Sequence, residues 1–597
     1  MAITYPTLAQ ISQSRDFIEQ FGGYDHNTRI SDSSFFEMRN MTSNDYPNLC
    51  VRPKRSVYVT PADAVHGMIS KDMLGYVDGR YFVLGSERVD MNLSTAQDDC
   101  PKTLVSMGAY VIILPDKKYI NTADLTDFGK IEASYTSTTQ VTFQMCGIDG
   151  EDYVPKYVSA TAPEKPENGD LWIDTSDNPH QLKQYSQTTG MWTALAVTYV
   201  KITSAGLGKA FSKFDGVELS GISGTLHDAT SGDEFTDEQM AQLVGSTVVW
   251  DCGEDFIIVT GILDHVRTIT DAVTISRLMP NMDFVIESQN RLWGCRYGTS
   301  RTGEIVNEIY ASKLGDFKNW NCFMGASTDS YAANVGTDGK FTGAITHLGY
   351  PLFFKEGNLH KVYGNYPANY QIQTTACRGV QEGSHKSLAI VGETLFYKSR
   401  NGICAYDGSL PQDVSAQFGG VMYYDAVAGA HGNKYIVSMH DSAGMYRLFV
   451  YDDQRYLWHA EDTLQVEEFC SCRDHMYYVD AADGKIHMMD ASGTDVEGDI
   501  PWMVETGVLG TSRPDRKYIS RLTVRMMMDI GARATFFAQY DSSGAWEQLS
   551  TVASHNLRTF GISLRTRRCD HLRIRIEGEG NMKIFSISKT YTEGSDV

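Results

Sequence analysis

The sequence predicts an all-β protein built around a β-propeller of about six or seven blades, with an inserted mainly-β module and a C-terminal β-sandwich-like domain. Four strand–turn–strand segments begin at His347, Gly392, His431 and Asp474, and a spacing of roughly 40 to 45 residues is typical of propeller blades. Each segment breaks at a turn pair such as Asn401-Gly402, where glycine supplies the positive φ of a tight hairpin. With 33 Tyr, 25 Phe and 53 Gly, the composition is typical of a folded, strand-rich protein.

Changes in this pattern divide the 597 residues, which are too many for one hydrophobic core. Residues 1–55 predict an extended, turn-rich N-terminal arm, a candidate for the outer strand that closes the last blade. Residues 56–130 and 277–498 predict the two parts of the propeller. An acidic, β-rich module is inserted between them at 131–276. From residue 499 to 597 the blade period is lost, and about seven alternating strands predict the β-sandwich-like domain.

The inserted module is predicted from its aromatic residues and one helix. Trp172, Tyr185 and Trp192 stand at the ends of short strands, with polar turns between them. We expect them to form a small core, and the alternative is a face that stacks on sugars. The stretch FTDEQMAQLVG predicts one short helix with Thr236 as its N-cap and Gly245 as its stop.

Charge is large and unevenly distributed, with a formal net value of −22 at pH 7. The surplus acid lies mainly in the insert, and it argues against tight, phosphate-neutralising DNA binding by the whole chain. It suits a soluble surface, or a wall past which nucleic acid slides. Near the C-terminus bases slightly exceed acids, and five arginines cluster there: Arg565, Arg567, Arg568, Arg573 and Arg575. We interpret that cluster as a charged sheet face, with docking of an acidic partner as the alternative.

The eleven cysteines are an odd number without paired spacing, which predicts buried thiols in a reducing compartment. Cys470 and Cys472 are the close pair, with His475 nearby, and we expect strand cysteines rather than a zinc site. The sequence opens without a basic, apolar leader and contains no run of eighteen apolar residues. We therefore expect synthesis in a cytoplasm and no membrane anchor.

The sequence shows no catalytic constellation, because HExxH, GxSxG and GxxxxGK[ST] are all absent. We therefore predict that the chain is not an enzyme and has no catalytic, cofactor-binding or metal-ligating residues. The run from Asp490 to Asp499 resembles a calcium loop only loosely, and we interpret it as a solvated turn. Six further residues are interpreted as turn caps or strand-end residues: Asp407, Asp452, Asp453, His66, His347 and His431.

Several stretches resemble bacteriophage tail proteins. Asn290–Cys295, followed by the run from Asn307 to Trp320 with its Gly-Asp-Phe-Lys-Asn-Trp ending, is similar to a blade of these proteins. Arg39–Pro53 resembles the opening of these proteins, and His571–Ser588 resembles their end. Asn168–Asp174 is similar to modules of phage tail and fibre proteins. The families are the tail nozzle (tail tubular protein B) and the packaged-DNA stabilisation protein of short-tailed phages.

This resemblance implies a structural, non-enzymatic virion protein of the tail or neck, synthesised in the bacterial host cytoplasm. It implies a ring of six copies below the portal and adaptor proteins, through which packaged DNA passes without sequence-specific binding. Tail fibre or tail-tip proteins would be further partners, and no cofactor is implied. Two alternatives are a receptor- or carbohydrate-binding tail-tip protein and an enzyme that degrades surface polysaccharide.

Overall fold

The computed structural model describes residues 13–299, 303–510, 517–565 and 568–593. Their regular structure is almost entirely strand. The chain opens with five short strands, whose bounds are β1 (Gln13–Ile18), β2 (Phe35–Arg39), β3 (Met41–Thr42), β4 (Leu49–Val51) and β5 (Ser56–Val59). Five 3-10 turns lie along the described chain at Gln97–Asp99, Leu207–Ala210, Pro367–Asn369, His385–Ser387 and Ala416–Phe418. No helix in the described ranges has the length and hydropathy needed to cross a bilayer.

Two four-stranded antiparallel sheets follow and form the first blades of the propeller. Blade one consists of β6 (Val65–Ser70), β7 (Leu74–Asp78), β8 (Tyr81–Leu84) and β9 (Glu87–Asp90). Blade two consists of β10 (Thr103–Met107), β11 (Tyr110–Leu114), β12 (Lys118–Asn121) and β13 (Phe128–Lys130). The central strands β7 and β11 are almost fully buried because each is covered on both faces by neighbouring blades.

The inserted module then leaves the propeller and contains three sheets and a hairpin. One sheet joins β14 (Ala133–Thr136), β28 (Thr274–Arg277), β21 (Gly216–Ser220) and β24 (Gly245–Val248). A second joins β25 (Asp251–Cys252), β26 (Phe256–Thr260), β20 (Tyr199–Thr203), β15 (Val141–Cys146) and β27 (Arg267–Ile269). The third consists of β16 (Tyr157–Ser159), β17 (Leu171–Asp174), β18 (Gln181–Ser186) and β19 (Met191–Ala194). The hairpin pairs β22 (Thr225–His227) with β23 (Glu234–Thr236).

The short helix of the module, α1 (Glu238–Gln242), begins one residue later than the sequence indicates. Its N-cap is Asp237, whose carboxylate accepts hydrogen bonds from the backbone N–H groups of Gln239 and Met240. The predicted cap, Thr236, is instead occupied in the hairpin, where it pairs with Thr225. Gly245 does not stop the helix directly but starts β24 at φ 110°, a conformation open to glycine.

Five more four-stranded sheets complete the propeller. Blade three consists of β29 (Phe284–Ser288), β30 (Arg291–Thr299), β31 (Ile305–Ala311) and β32 (Tyr331–Asn334). Blade four consists of β33 (Gly343–His347), β34 (Tyr350–Lys355), β35 (Asn358–Tyr363) and β36 (Gln371–Ala376). Blade five consists of β37 (Ala389–Val391), β38 (Thr394–Ser399), β39 (Gly402–Tyr406) and β40 (Gln412–Asp413).

Blades six and seven close the ring. Blade six consists of β41 (Tyr423–His431), β42 (Lys434–Asp441), β43 (Tyr446–Asp452) and β44 (Leu457–Ala460). Blade seven takes β45 (Val466–Cys472), β46 (His475–Asp480) and β47 (Ile486–Met488) from the end of the propeller sequence and β5 from its beginning. Because β45 also packs against β6 of blade one, the described blades form a closed ring of seven.

The C-terminal domain is a β-sandwich that the N-terminal segment completes. Its own strands are β48 (Pro501–Thr506), β49 (Lys517–Met528), β50 (Arg533–Tyr540), β51 (Glu547–Ala553), β52 (Arg558–Ser563), β53 (Leu572–Glu579) and β54 (Met582–Glu593). Sheet A has the order β3-β4-β54-β49-β52, with β1 also paired to β54, and sheet B has the order β2-β48-β53-β50-β51. Residues 13–51 are therefore not the extended arm that the sequence predicts. Their strands are integral to both sheets, because each satisfies backbone groups that the C-terminal strands leave open.

A buried ion pair attaches the inserted module to the propeller. Asp215 and Arg277 lie next to each other with side chains 5% and 10% exposed, and Arg277 also donates to the backbone oxygen of Ile131 at 3.1 Å. From blade three, the Asn319 amide donates to Asp215 Oδ1 at 2.9 Å and accepts from the Gly216 N–H at 2.8 Å. The carboxylate thus satisfies groups on both sides of the joint, which fixes the module to the ring.

We expect Arg277→Met to loosen this joint. Removal of one partner leaves the Asp215 charge buried without compensation, at a cost of about 3–5 kcal/mol. Limited proteolysis should then release the module faster, and urea unfolding should show a lower free energy of unfolding. Lys209→Met is the matched control, because the Lys209–Glu254 pair is exposed and should contribute little. Equal behaviour of the two variants would contradict the role of the joint.

Candidate functional site: a groove between blades six and seven

A groove of about 650 Å³ opens where blades six and seven meet the N-terminal segment. The turn Gly444-Met445-Tyr446 of blade six forms one wall, and the turn Asp480-Ala481-Ala482 of blade seven forms another. The connection between the blades, Asp462 to Gln465, lies along its floor together with Arg55 and Tyr478. Its volume is in the range of small-molecule sites, and its lining combines carboxylates and hydroxyls with apolar side chains.

Two arginines of the N-terminal segment form an ion network at the base of this groove. Arg55 donates to Glu461 Oε2 at 2.5 Å and to Asp462 Oδ2 at 2.8 Å. Arg52 donates to Glu497 Oε2 at 2.7 Å and approaches Asp462 Oδ2 at 3.4 Å. The Arg55 side chain is 3% exposed and Glu461 is 7% exposed. Two cations and three carboxylates from three distant parts of the chain therefore meet here, with Arg52, Arg55 and Glu461 largely buried.

The network favours the ionised form of Asp462 and Glu497. Burial alone would raise the pKa of Asp462, but the charges of Arg55 and Arg52 outweigh that effect and lower it. Burial also opposes ionisation of Glu497, and the hydrogen bond and charge of Arg52 again lower its pKa. A general acid needs a raised pKa, so these two carboxylates are suited to holding charge and not to donating a proton.

Three further side chains at the rim of the groove are potential metal ligands. One ligand atom each of Asp480, Asp483 and His487 lies within 4.8 Å of the others. The Asp483 carboxylate already contacts His487 Nε2 at 3.1 Å and Lys485 Nζ at 3.5 Å. Asp480 and Asp483 also accept backbone hydrogen bonds within their own turn, from Ala482 and Lys485. Turn capping thus accounts for the arrangement.

The axial hole of the propeller is bridged by side chains. Lys386, which precedes blade five, donates to the backbone oxygen of Glu467 at 3.0 Å and approaches Glu468 Oε2 at 3.3 Å in blade seven. Glu468 in turn accepts from the Met68 N–H of blade one at 2.9 Å. Contacts between blades five, seven and one therefore narrow the hole.

The aromatic residues of the insert form a core in its third sheet. Trp172 is 4% exposed, and its indole N–H donates to the backbone oxygen of Ser159 at 3.0 Å. Trp192 packs edge-on against Trp172 and tilts against Tyr185, with ring centroids 5.3 Å apart in both cases. Trp172 thus has both its face and its N–H engaged inside the protein, and Trp192 is half-buried beside it.

The cysteines and histidines singled out in the sequence lie at strand positions. Cys472 is buried opposite His475 across the β45–β46 hairpin, and burial raises the pKa of the Cys470 thiol to about 12. His475 is engaged separately, with Nδ1 2.8 Å from Asp490 Oδ2. His66 lies within β6, while His347 and His431 end β33 and β41.

The residues predicted to lie in turns are partly confirmed as caps and partly engaged in other contacts. Asp407 caps the N–H of Ser409 at 3.0 Å, and Asp452 accepts from Ser43 Oγ at 2.6 Å, while burial raises the pKa of Asp453.

The interpretation of Asp490–Asp499 as a solvated turn is wrong in its second half. Thr494 exchanges backbone hydrogen bonds of 2.7 Å with Val57, and Glu497 belongs to the ion network, because this segment lies against the N-terminal strands.

The basic cluster near the C-terminus is largely neutralised. Arg573 and Arg575 contact Glu505 at 3.0 and 2.8 Å, and Arg565 contacts Glu547 at 3.0 Å. Arg568 is exposed, and Arg567 lies outside the described residues. The sequence alone missed Glu505 as the partner, since it is 68 and 70 residues away from the two arginines. It also missed Arg52 and Arg55, which nothing local connects with acids some 400 residues later.

Comparisons with known proteins add a likeness of fold. No protein-family model and no curated protein matches the chain. An exo-β-1,3-galactanase structure from Phanerochaete chrysosporium matches at 8% identity and TM-score 0.21, over 51% of this chain and 94% of that chain. An engineered family 43 glycoside hydrolase matches at 11% identity and TM-score 0.20, over 51% and 96%. A puromycin-hydrolyzing peptidase from Mycobacterium tuberculosis matches at 10% identity and TM-score 0.21, over 81% and 64%.

These matches contradict the prediction that the chain is not an enzyme, because the matched proteins are themselves enzymes. We therefore withdraw that prediction. At identities of 8 to 11% the likeness concerns the fold, and it assigns no catalytic residue to this chain. The all-β, propeller-containing fold predicted from the sequence is confirmed.

The ion network predicts how stability depends on pH. Because the pKa values of Asp462 and Glu497 are lowered on folding, their stabilisation is present above the ordinary carboxyl pKa and lost as pH falls through the folded values. In urea unfolding from about pH 5 to about pH 3, the wild type should lose more free energy of unfolding than Asp462→Asn. Asp177→Asn, at an exposed site that forms no ion pair within the described residues, should keep the wild-type dependence. An unchanged slope in Asp462→Asn would contradict this account.

Proposed function

We propose that this chain is a structural protein of a bacteriophage tail or neck and assembles into a ring that retains and conducts packaged DNA. The closed seven-bladed ring with its interlocked sandwich supports this proposal, because it holds two separate domains rigidly in place. The resemblance of Asn290–Cys295 and Asn307–Trp320 to phage tail proteins gives the class of particle. Portal and adaptor proteins on one side and tail fibre or tail-tip proteins on the other are the proposed partners.

The DNA path would lie between copies and not inside one propeller. The contact of Lys386 with Glu468 joins the inner sides of blades five and seven, so a DNA duplex would not pass through a single propeller. A ring of several copies leaves a wider central opening. The net charge of −22 would keep the DNA backbone from adhering to its wall.

Electron microscopy of the purified chain tests ring assembly directly. We expect closed rings, alone or after mixing with portal and adaptor complexes, because rings bury large subunit interfaces. A chain with Arg277→Met, which loosens the inserted module, serves to show whether the module takes part in assembly. Discrete monomers of the wild type under both conditions would contradict the proposal.

We propose glycan binding or cleavage in the groove between blades six and seven as a second candidate function. The groove of about 650 Å³ carries Tyr446, Tyr478 and the carboxylates of Asp480 and Asp495. Aromatic rings can stack on sugars, and a pair of carboxyl groups can hydrolyse a glycosidic bond. A receptor-binding role at the tail tip would use the same surface.

Release of reducing sugar from host envelope polysaccharide tests this second function. We expect Asp480→Asn with Asp495→Asn to abolish release, since both carboxylates line the groove and neither belongs to the buried ion network. Asp177→Asn with Asp233→Asn, at exposed sites in the inserted module, is the control of equal charge and should release sugar like the wild type. If no sugar is released or bound by the wild type, the second function fails while ring assembly stands.

A further inference from the structure

The outer face of sheet A carries arginines and hydroxyls and, among the strand residues whose side chains are described, no carboxylate. In β49 the exposed positions alternate with buried ones, so that Arg521 and Arg525 point outward while Leu522, Val524 and Met526 fill the core. Opposite them on β52 lie Ser563 and Thr559. On the other side, β54 and β1 add Ser586, Thr590, Arg15 and the exposed Phe17, which face the same way and leave Ser588 buried between them. We call Arg15, Arg521 and Arg525 with these hydroxyls the arginine face.

The guanidinium groups on this face are held along the sheet. A Cβ added to Gly561 would lie 2.0 Å from Arg521 Nη2, so the Arg521 side chain lies directly over that glycine. Arg15 donates from Nε to Ser588 Oγ at 3.1 Å, and its guanidinium carbon lies 4.9 Å from the Phe17 ring centroid. Less side-chain freedom is therefore lost when a partner binds.

The cations of this face have no acidic partner within the described chain. Neither Arg521 nor Arg525 forms an ion pair there, whereas Arg573 and Arg575 on sheet B share Glu505. Strand spacing of about 4.8 Å and a rise of about 3.3 Å per residue place Arg521 about 10 Å from Arg15 and about 13 Å from Arg525, with Arg15 and Arg525 about 16 Å apart. In a chain with net charge −22, such a face is an unmatched positive surface.

The matching negative surface lies on the inserted module, at a tip built around α1. Asp233 is in the loop of the β22–β23 hairpin that leads into α1, and Glu238 is the first residue of α1. Asn178 accepts a hydrogen bond from Gln242 at 3.2 Å, which places the neighbouring Asp177 beside the helix. Asp177, Asp233 and Glu238 are exposed and form no ion pair in the described part of the chain. We call these three residues the acidic tip.

The two surfaces lie on opposite sides of the ring of blades. The module leaves between blades two and three, while the sandwich packs on blade six, where Ser43 Oγ donates to Asp452 and Lys434 Nζ donates to Thr42. In a closed ring of seven, blade six is three blades from blade three and three from blade two by way of blade one. One chain therefore cannot bring its own two surfaces together.

We propose that the arginine face docks onto the acidic tip of the inserted module of a neighbouring copy. The partner is a second copy of this chain because it supplies acidic tips in equal number to arginine faces. The contact is head-to-tail, and repetition of such a contact generates a ring when the rotation closes. This inference rests on the proposed ring and names the surfaces that form it.

Charge reversal with rescue tests this contact in the full-length chain. Arg521→Glu with Arg525→Glu should raise the concentration needed for half-assembly by at least about tenfold, measured by sedimentation velocity. Asp177→Lys with Asp233→Lys and Glu238→Lys should have the same effect. A chain with all five changes restores opposite charges across the contact and should assemble again.

The control carries equal charge changes elsewhere on the module, at Glu151→Lys, Glu164→Lys and Glu218→Lys, and should assemble like the wild type. Thermal unfolding should be unchanged in every variant, since all these residues are exposed. If the reversed chains form rings as the wild type does, the docking contact is wrong while ring assembly stands. If the wild type forms no ring at any concentration, the proposed function fails with it.

Fluorescence anisotropy with labelled duplex DNA tests whether the arginine face binds nucleic acid instead of the acidic tip. We expect no binding by the wild-type chain at physiological salt. Binding that is lost in Arg521→Glu with Arg525→Glu would assign the face to a nucleic-acid backbone, and it would overturn the proposal.

Discussion

The architecture depends on the network of Arg52 and Arg55 with Glu461, Asp462 and Glu497. These residues come from the N-terminal segment, from the connection between blades six and seven, and from the linker between the propeller and the sandwich. Each cation contacts at least two carboxylates, so both buried guanidinium charges are compensated. One cluster therefore fixes the relative positions of the last two blades, of the strand that closes the ring, and of the sandwich behind it.

The joint between the inserted module and the propeller is also held by buried charges that satisfy one another. Asp215, Arg277 and Asn319 join the inserted module to the propeller through one buried carboxylate that satisfies donors from both parts. Buried polar groups of this kind are specific in geometry, because a displaced partner leaves a charge unsatisfied. Exposed ions have a different role in the protein. The acids of the acidic tip and the arginines of the arginine face form no ion pair within the described residues and are available to other molecules.

The parts that the sequence predicts correctly are those with local causes. Blades are recognisable because hairpins such as Asn401-Gly402 and alternating strands lie within about 45 residues of each other. The blade number stays between six and seven, since outer strands as short as β40 (Gln412–Asp413) carry almost no pattern. The placement of β1 to β4 in the sandwich leaves no local trace, because β1 pairs with β54 across more than 560 residues. The partners of Arg55 are hidden for the same reason.

The closing strand β5 has a consequence for how the chain is made. Its partner β47 and the sandwich strand β54 emerge from the ribosome long after the first 59 residues. Strand β5 therefore stays without its blade partner until β47 has been made, and β1 and β4 stay without theirs until β54 has been made, since domains otherwise fold in order of emergence. A chain that stops before β47 can close neither the ring nor the sandwich. Synthesis of β47 and then of β54 is thereby a checkpoint, since a chain without them lacks the strand pairs that hold the N-terminal segment in place.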